Sequence, residues 1–495
     1  MKSQAKKSLI ALAITAGLTG NVWASTVSEA VVEQTGTEQV AVVTQTGSLN
    51  AAIVTQTGVE QGATVAQDGT WHEAYVDSTG DFNEVTVSQQ ADWHIASVNV
   101  NGNDNTVDVK QDGYFNQSSS DVTGNANFVG VEQVGEQNES VIELTGDENA
   151  AFVDQEGDTN YAVFRAEGNG NDGEISQLGN NNQGGLISVD FGANVGDNND
   201  VTVTQVGDNN LGAARGLDGD NNTLEVSQEG NANVGFVYSL TGSANDIDID
   251  QQGNGNTAVL SLANGDDNTV DIYQKGDENA VGDSFVAELN GNDNNISITQ
   301  KGDVNLAEFQ VIGDSNDVDL TQKGDDNYAA FGAYGTDNDF DLTSKGDSNE
   351  IAAFATGEDN STEISQEGDL NFAYTEFTGD NNEVNIEQDG NENESIVTVA
   401  GNNNVDLEST QTGDMNVLDL IIVGDDNYAQ VIQTGDRNWV GGEDSTSFEV
   451  VGNGNSFMVA QTGNDNLVTG SQAGSNNAIN VTQAGDFNVA TIIQN

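Results

Sequence analysis

The residues in this sequence best suited to chemistry are acidic side chains that recur in short Gly-Asp-x-Asn segments. Asp303, Asp325 and Asp347 each follow a glycine, and such glycines return mostly every 11 residues. Carboxylates and turn carbonyls are the oxygen ligands that Ca²⁺ prefers. The Gly-Gly-x-Gly-x-Asp word of calcium-binding β-rolls is absent, however, and its period differs from 11. The pattern therefore favours solvated turns over dedicated calcium sites, and we expect neither metal ligands nor a cofactor.

The two histidines offer a second candidate for chemistry. His72 and His94 are 22 residues apart, so a repeat of that length would stack them in one column. A two-histidine site with neighbouring acids is conceivable, but substituted turn residues are the plainer interpretation. Carboxylates that point into solvent have no reason for shifted pKa values. The sequence contains no cysteine, which excludes disulfides and thiolate metal sites. We therefore predict no catalytic residues and a protein that is not an enzyme.

The net charge of the chain limits the classes of molecule that it can bind. The 495 residues include 81 acidic and only 11 basic side chains, which gives a net charge of −70. Nucleic acids and anionic lipid surfaces both require basic patches, so this composition argues against either partner. High charge with 35% apolar residues is also typical of disorder. The absence of proline and the strict periodicity of the apolar residues favour an ordered array instead.

The elements that position these residues are short strands joined by tight turns. Between residues 300 and 327, Gly-x-x-Asn occurs three times at a spacing of 11. Apolar and amide side chains alternate with polar ones between the turns, which is the period of a half-buried β-strand. Glycine supplies the backbone freedom that a tight reversal needs. Counting a degenerate turn at Ala91, about 40 such turns give about 20 two-strand rungs. The predicted fold is all-β, a β-solenoid with a 22-residue repeat.

Two kinds of arm alternate along this array. Every second arm has Gln two residues before the glycine, as at Gln300 and Gln322, whereas the intervening arms mainly carry an apolar residue there. The long insertions fall in the apolar-ending arms, so we predict that the irregularities lie on one side of the stack.

We divide the chain into three segments. Residues 1–24 have three lysines, a short apolar core and small residues before a cleavage point after Ala24, as in a secretory signal peptide. Residues 25–33 form a short N-terminal leader. Residues 34–495 form one uninterrupted repeat array.

Stacked rungs would align identical side chains about 4.8 Å apart. A buried amide can then donate to the same residue one rung away and accept from the rung on its other side. We predict that such ladders contain Gln300, Asn305, Asn316, Gln322 and Asn327. Isolated rungs would leave these groups unpaired, so only the stack is favourable, and its two ends stay open to another chain.

The ends differ from the middle because both kinds of arm carry Gln there. We predict that these residues form end-joining surfaces between copies of the chain: Gln34, Gln45, Gln56 and Gln67 at one end, and Gln461, Gln472, Gln483 and Gln494 at the other.

The repeated word resembles the curlin repeat of curli fibre subunits. Two copies carry the resemblance, Gln300-Lys-Gly302-Asp-Val-Asn305-Leu-Ala307 and Gln322-Lys-Gly324-Asp-Asp-Asn327-Tyr-Ala329. The resemblance implies a secreted subunit that polymerises outside a Gram-negative cell into amyloid fibres for adhesion and biofilm matrix. It also implies an outer-membrane export pore and a nucleating minor subunit as partners. The chain departs from that family in its length, in its leader and in the apolar residue that replaces the second Gln of most rungs. The alternative is a monomeric acidic β-solenoid adhesin or a calcium-binding surface protein.

Overall fold

The computed structural model describes residues 12–16, 27–186, 194–282, 287–442 and 446–495. These residues form strands and turns and contain no helix. The chain divides into two compact units, Met1–Ala244 and Asn245–Asn495. Most of the predicted signal peptide and the start of the leader lie outside the described residues, so that prediction stands as made.

The described residues of the first unit form 23 strands. They are β1 (Leu12–Ala16), β2 (Glu29–Thr37), β3 (Val40–Ser48), β4 (Ala51–Val59), β5 (Gly62–Thr70), β6 (Glu73–Asp81), β7 (Glu84–Asp92), β8 (Ile95–Asn101), β9 (Thr106–Tyr114), β10 (Gln117–Thr123), β11 (Phe128–Glu136), β12 (Glu139–Thr145), β13 (Ala150–Glu156), β14 (Tyr161–Glu167), β15 (Asp172–Leu178), β16 (Gln183–Leu186), β17 (Asn194–Val195), β18 (Asp200–Val206), β19 (Leu211–Ala214), β20 (Leu217–Asp218), β21 (Thr223–Glu229), β22 (Val234–Val237) and β23 (Leu240–Thr241).

In the part of the second unit that the structure describes there are 25 strands. They are β24 (Asp246–Gln252), β25 (Thr257–Leu260), β26 (Leu262–Asn264), β27 (Thr269–Lys275), β28 (Ala280–Val281), β29 (Glu288–Asn290), β30 (Asn295–Lys301), β31 (Leu306–Ile312), β32 (Asp317–Lys323), β33 (Tyr328–Tyr334), β34 (Asp339–Lys345), β35 (Glu350–Thr356), β36 (Ser361–Glu367), β37 (Phe372–Thr378), β38 (Glu383–Asp389), β39 (Glu394–Ala400), β40 (Leu407–Thr412), β41 (Val417–Val423), β42 (Tyr428–Thr434), β43 (Trp439–Gly441), β44 (Phe448–Val451), β45 (Ser456–Thr462), β46 (Leu467–Ala473), β47 (Ala478–Ala484) and β48 (Val489–Gln494).

In each unit the strands form two parallel sheets, because successive arms alternate between them. Sheet A holds the arms that end in Gln, and sheet B holds the intervening arms. In the second unit β30 pairs with β32 so that Gln300 lies opposite Gln322, and β31 pairs with β33 so that Ala307 lies opposite Ala329. Partners are therefore 22 residues apart in regular turns. The predicted fold is confirmed: the chain is an all-β solenoid of about 20 turns.

Alternation within each strand decides which side chains are buried. In β32, Val318, Leu320 and Gln322 are buried, whereas Asp317 and Asp319 are exposed. The predicted inward and outward faces are thus correct. The inward residues of the two sheets meet in a thin core, in which apolar side chains stack on their equivalents one turn away.

The stacking of turns requires glycine at the turn positions for a steric reason that the periodicity of the sequence did not reveal. Gly302 has φ +119° and the second residue after it, Val304, has φ +63°. A Cβ on Gly302 would lie 2.2 Å from the carbonyl oxygen of Gly324 in the next turn. Glycine is therefore needed both for its backbone conformation and for the close approach of the next turn.

Most irregular arms of the described residues lie in sheet B of each unit, as the long insertions predicted. The arm that begins with β16 splits into two strands there, and so does the arm of β43 and β44. Sheet A contains one irregular arm, where Asp406 takes φ +57° before the shortened β40. Regular turns are thus kept on the side that carries the glutamines.

Candidate functional site

A column of buried glutamines runs through sheet A. Gln300 donates from Nε2 to Oε1 of Gln322 at 2.9 Å, and its own Oε1 accepts from Gln274 at 2.8 Å. The same Nε2 donates to the carbonyl oxygen of Ala280 at 3.1 Å, at the start of the facing arm. Each Gln therefore joins consecutive turns and also joins the two sheets.

Ser344 interrupts this column. It lies opposite Gln322 in the next turn, and its hydroxyl donates instead to Oδ1 of Asn327 at 3.1 Å. One turn further on, Oε1 of the buried Gln366 has no hydrogen-bond partner. A single Gln-to-Ser change thus leaves a buried acceptor unpaired, at a cost of about 1–3 kcal/mol.

Buried asparagines form two more columns, one at each turn edge. Asn327 donates from Nδ2 to Oδ1 of Asn305 at 2.9 Å, and its backbone N–H reaches the same oxygen at 3.1 Å. Nδ2 of Asn305 also donates to the carbonyl oxygen of Gly324 at 2.8 Å. Asn316 belongs to the opposite edge, where it donates to Asn294 at 3.0 Å. Asn305 and Asn327 therefore share one column, and Asn316 lies in another.

The glutamine and asparagine ladders run in opposite directions along the chain. Nε2 of Gln300 donates to the following turn, at Gln322. Nδ2 of Asn305 donates to the preceding turn, at Asn279. Each end of such a stack therefore presents donors of one amide type and acceptors of the other.

At the N-terminal end, the glutamine ladder of each sheet begins with a pair, and in sheet A the strand β1, from the predicted signal peptide, pairs with β3 so that Ala16 lies opposite Gln45. Gln34 donates to Gln56 at 2.7 Å in sheet B, and Gln45 donates to Gln67 at 2.8 Å in sheet A. Within the described residues, Oε1 of Gln34 and Oε1 of Gln45 accept no hydrogen bond. The sheet B ladder is short, because Ser78 follows Gln56 in the register.

At the C-terminal end, both sheets finish with paired glutamines. Gln461 donates to Gln483 at 2.9 Å in sheet A, and Gln472 donates to Gln494 at 3.3 Å in sheet B. In the part of the chain that the structure describes, Nε2 of Gln494 has no acceptor. The eight end glutamines thus occupy the first and last ladder positions of their sheets.

The acidic turn residues have a role that the spacing alone did not reveal. The carboxylate of Asp325 accepts the backbone N–H of Asp303 at 2.9 Å, and the carboxylate of Asp347 accepts that of Asp325 at 2.9 Å. The clue was the residue type, because Asp and Asn side chains commonly accept backbone N–H groups in turns. No cluster of three metal-binding side chains occurs among the described residues.

The two histidines occupy the asparagine position of consecutive turns in the first unit. Their rings are buried and stacked, with centroids 5.2 Å apart and planes 6° apart. Nδ1 of His72 accepts the backbone N–H of His94 at 3.4 Å, and Nε2 of His94 lies 2.7 Å from the carbonyl oxygen of Gln90. Burial lowers the pKa of both rings. This geometry matches substituted turn residues.

Aromatic side chains stack outside the same turns. Trp71 and Trp93 have ring centroids 4.7 Å apart and planes 4° apart, and Phe115 extends the column with a centroid 5.4 Å from Trp93. All three take positive φ at the turn position next to the buried column. They are 40–45% exposed.

These features define a β-solenoid repeat protein whose turns are joined by side-chain amide ladders. The model of one protein family, described as the curlin associated repeat, matches fifteen segments of this chain. The chain therefore belongs to the curlin-repeat family. The matched residues are 28–58, 62–90, 80–113, 102–135, 124–157, 146–179, 219–253, 242–276, 265–302, 291–324, 313–346, 357–390, 379–405, 424–463 and 452–485. The family is structural, and its members are extracellular curli fibre subunits.

No curated protein matches the chain. The described residues also contain no helix with the length and apolarity needed to cross a membrane.

Proposed function

We propose that this protein is a secreted subunit that assembles with copies of itself into extracellular, curli-like amyloid fibres of a Gram-negative cell. Such fibres serve cell adhesion and the biofilm matrix. The observation that carries the proposal is that the glutamine ladders of residues 34–494 stop at each end with unused hydrogen-bonding groups.

The unused groups at the two ends are complementary. The first turns present the acceptor oxygens of Gln34 and Gln45, and the last turn presents the amide donor of Gln494. A head-to-tail contact would let donors meet acceptors, whereas a contact between like ends would oppose identical groups. Head-to-tail contact is also open-ended, which produces fibres rather than closed oligomers. An outer-membrane export pore and a nucleating minor subunit remain expected partners from the family relationship.

The decisive experiment uses the purified chain without residues 1–24. We expect negative-stain electron microscopy to reveal fibres that bind amyloid dyes, elongate from their own seeds and diffract at about 4.7–4.8 Å along the fibre axis. A chain that stays monomeric under the same conditions would instead support the acidic β-solenoid adhesin and overturn the proposal.

A pair of deletions tests the end-joining surfaces directly. Removal of residues 461–495 takes away both C-terminal glutamine pairs, so we expect elongation from wild-type seeds to stop. Removal of residues 302–323 deletes one regular turn and restores the register, so elongation should continue at a similar rate. Equal effects of the two deletions would show that the ends have no special role.

A further inference from the structure

One glycine in the first unit lies in the middle of a regular strand and faces outward. Gly130 of β11 is paired in register with Asp108 of β9 and Phe152 of β13. Its φ is not in the left-handed region, so the backbone does not require glycine there. A Cβ at this position would lie only 3.0 Å from Cδ1 of Phe152. The missing side chain is therefore what makes room for the phenylalanine ring.

Two aromatic rings line the space above Gly130. Phe128 and Phe152 have ring centroids 4.8 Å apart, with planes tilted by 32°. Phe152 remains 45% exposed although it lies next to another aromatic ring and above a glycine. An open cavity of about 480 Å³ lies over this pair. We call it the Gly130 cavity.

Acidic side chains form the rim of the Gly130 cavity. Asp108, Glu132, Asp154 and Glu174 line it, and Lys110 is the one basic residue among its lining residues. Lys110 forms an ion pair with Glu132. Three carboxylates beside the aromatic floor are thus not neutralised by the lysine. Burial raises the pKa of Asp108 and of Asp154, so these two carboxylates are partly removed from water.

The second unit contains a similar strand glycine that is buried beneath aromatic side chains. A Cβ on Gly332 would lie 3.0 Å from Cδ1 of Phe354 and 3.1 Å from Cε2 of Tyr334. Gly332 is buried and Phe354 is half-buried, whereas Phe152 in the first unit is exposed. An aromatic residue one turn away can therefore cover a strand glycine fully. The openness of the Gly130 cavity is not a necessary consequence of its glycine.

We propose that the Gly130 cavity binds a small quaternary ammonium cation. The faces of Phe128 and Phe152 supply an apolar surface with negative quadrupole potential, to which such cations are attracted. Asp108, Asp154 and Glu174 supply the opposite charge around it. A neutral molecule of the same shape would gain the apolar contact but neither the cation–π nor the charge attraction. This site is independent of fibre assembly, because its residues lie on the outward face of sheet A in the first unit.

The test compares choline with 3,3-dimethylbutan-1-ol, its neutral isostere, by ligand-observed saturation-transfer NMR titration on the full chain without residues 1–24. The titration uses about 150 mM sodium chloride, at which the screening length is about 8 Å and loosely held counterions are suppressed. We expect choline to bind about twofold to fivefold more tightly than the isostere from the exposed cation–π contact, with the carboxylates adding to this difference. Equal binding of the two molecules, or no binding of either, would overturn the proposal.

Two variants locate the binding in the cavity. Phe152→Ser removes the exposed ring but keeps the carboxylates, so it should weaken choline binding by about twofold to fivefold, the range that one exposed cation–π contact provides. Gly130→Ala also keeps all charges, but its Cβ would lie 3.0 Å from Cδ1 of Phe152, so the ring must shift, and choline binding should weaken as well. The matched control is Tyr75→Ser, which removes another exposed aromatic ring that lies beside a carboxylate, Glu73. If Tyr75→Ser has the same effect as Phe152→Ser, or if neither cavity variant weakens binding, choline is held by the general surface charge and the proposal is wrong.

Discussion

The same turn position is filled by imidazoles in one region of the molecule and by amides in another. In the first unit, His94 stacks on His72, and the backbone N–H of His94 donates to Nδ1 of His72 at 3.4 Å. In the second unit, the backbone N–H of Asn327 donates to Oδ1 of Asn305 at 3.1 Å, and its side chain donates to the same atom at 2.9 Å. The position therefore requires one acceptor for the next turn and one donor to a nearby carbonyl. A neutral imidazole satisfies both requirements, but unlike an amide it can take up a proton.

The turns that precede these histidines and asparagines also differ between the two regions. The turn before His94 has Ala91 at φ +79° where other turns have glycine, and it carries the exposed Trp93. The turn before Asn327 has Gly324 at φ +117°. The histidine region thus combines a non-glycine residue at positive φ, a longer hydrogen bond from the backbone N–H of the next turn, and stacked rings. We infer that the amide region is held by hydrogen bonds, and that the histidine region depends more on ring stacking.

The largest effect is expected from breaking the amide region itself. Asn305→Leu combined with Gln322→Leu would leave several buried donors and acceptors unpaired, including the carbonyl oxygen of Gly324. Each costs about 1–3 kcal/mol, so we expect a loss of roughly 3 kcal/mol or more in the free energy of unfolding, together with slowed or blocked assembly. Chemical denaturation and dye-monitored assembly measure the two results.

The matched control for that variant changes outward residues of the same repeat. Asp317→Ser combined with Asp319→Ser should leave both stability and assembly close to those of the parent chain, because both side chains point into solvent. If the two double variants behave alike, the amide ladders do not carry the stability assigned to them.

A second prediction exchanges the turn residues of the two regions. Gly324→Ala would place a Cβ 2.1 Å from the carbonyl oxygen of Gly346, so the stack must shift, and we expect a loss of roughly 2–4 kcal/mol. Ala91→Gly removes the strain of an L-residue at positive φ and should stabilise its turn by about 1 kcal/mol. Thermal unfolding of both variants checks the signs, and a stabilising Gly324→Ala would contradict the steric argument.

A third prediction uses the proton that only the histidine region can bind. Burial lowers the pKa of His72 and His94 in the folded chain, although Asp68, Asp92 and Asp112 face the rings and favour the charged form. The unfolded chain therefore binds more protons once the pH falls below the ordinary histidine value of about 6.5, and stability decreases as the pH falls through that window. After correction for the slower intrinsic exchange at low pH, we expect several-fold lower amide protection factors in these turns at acidic pH, with little change around Asn305.

Replacement of the histidines supplies the control for this pH effect. His72→Asn with His94→Asn restores an amide column that cannot titrate, so the acid-induced loss of protection should disappear. Persistence of that loss in the double variant would assign it to other groups.

The smallest effect is expected from the carboxylates. Burial, together with neighbouring acids, raises the pKa of Asp319 and Asp339 in the folded chain. The folded state thus binds more protons than the unfolded state just above pH 3.8, so acid in that lower window stabilises these strands, opposite to its effect on the histidines.

High salt and pH 4.5 should each shorten the assembly lag in dye fluorescence by a few-fold. A lag time that does not change in either comparison would show that repulsion between carboxylates does not slow assembly.

Much of the architecture could be predicted because a stack repeats one local pattern. The alternation around Val318 and Leu320 identified the buried face, and the spacing of Gln300 and Gln322 identified the turn length. The directions of the two ladders could not be predicted, because they depend on side-chain torsions that residue types do not specify. The backbone hydrogen bond accepted by Asp325 was missed for a related reason: a column of acids suggests repulsion until the neighbouring N–H is seen. Gly130 was also missed, because a glycine outside a turn has no periodic signal.

The stacked indoles of Trp71 and Trp93 give the molecule an optical property. The sequence has four tryptophans, of which Trp23 lies in the predicted signal peptide and Trp439 lies in the second unit. Two indoles with centroids 4.7 Å apart are well within the range of excitation-energy transfer, which lowers the polarisation of their fluorescence relative to that of an isolated indole. Without any attached label, this depolarisation reports whether the turns around the histidine pair are closed.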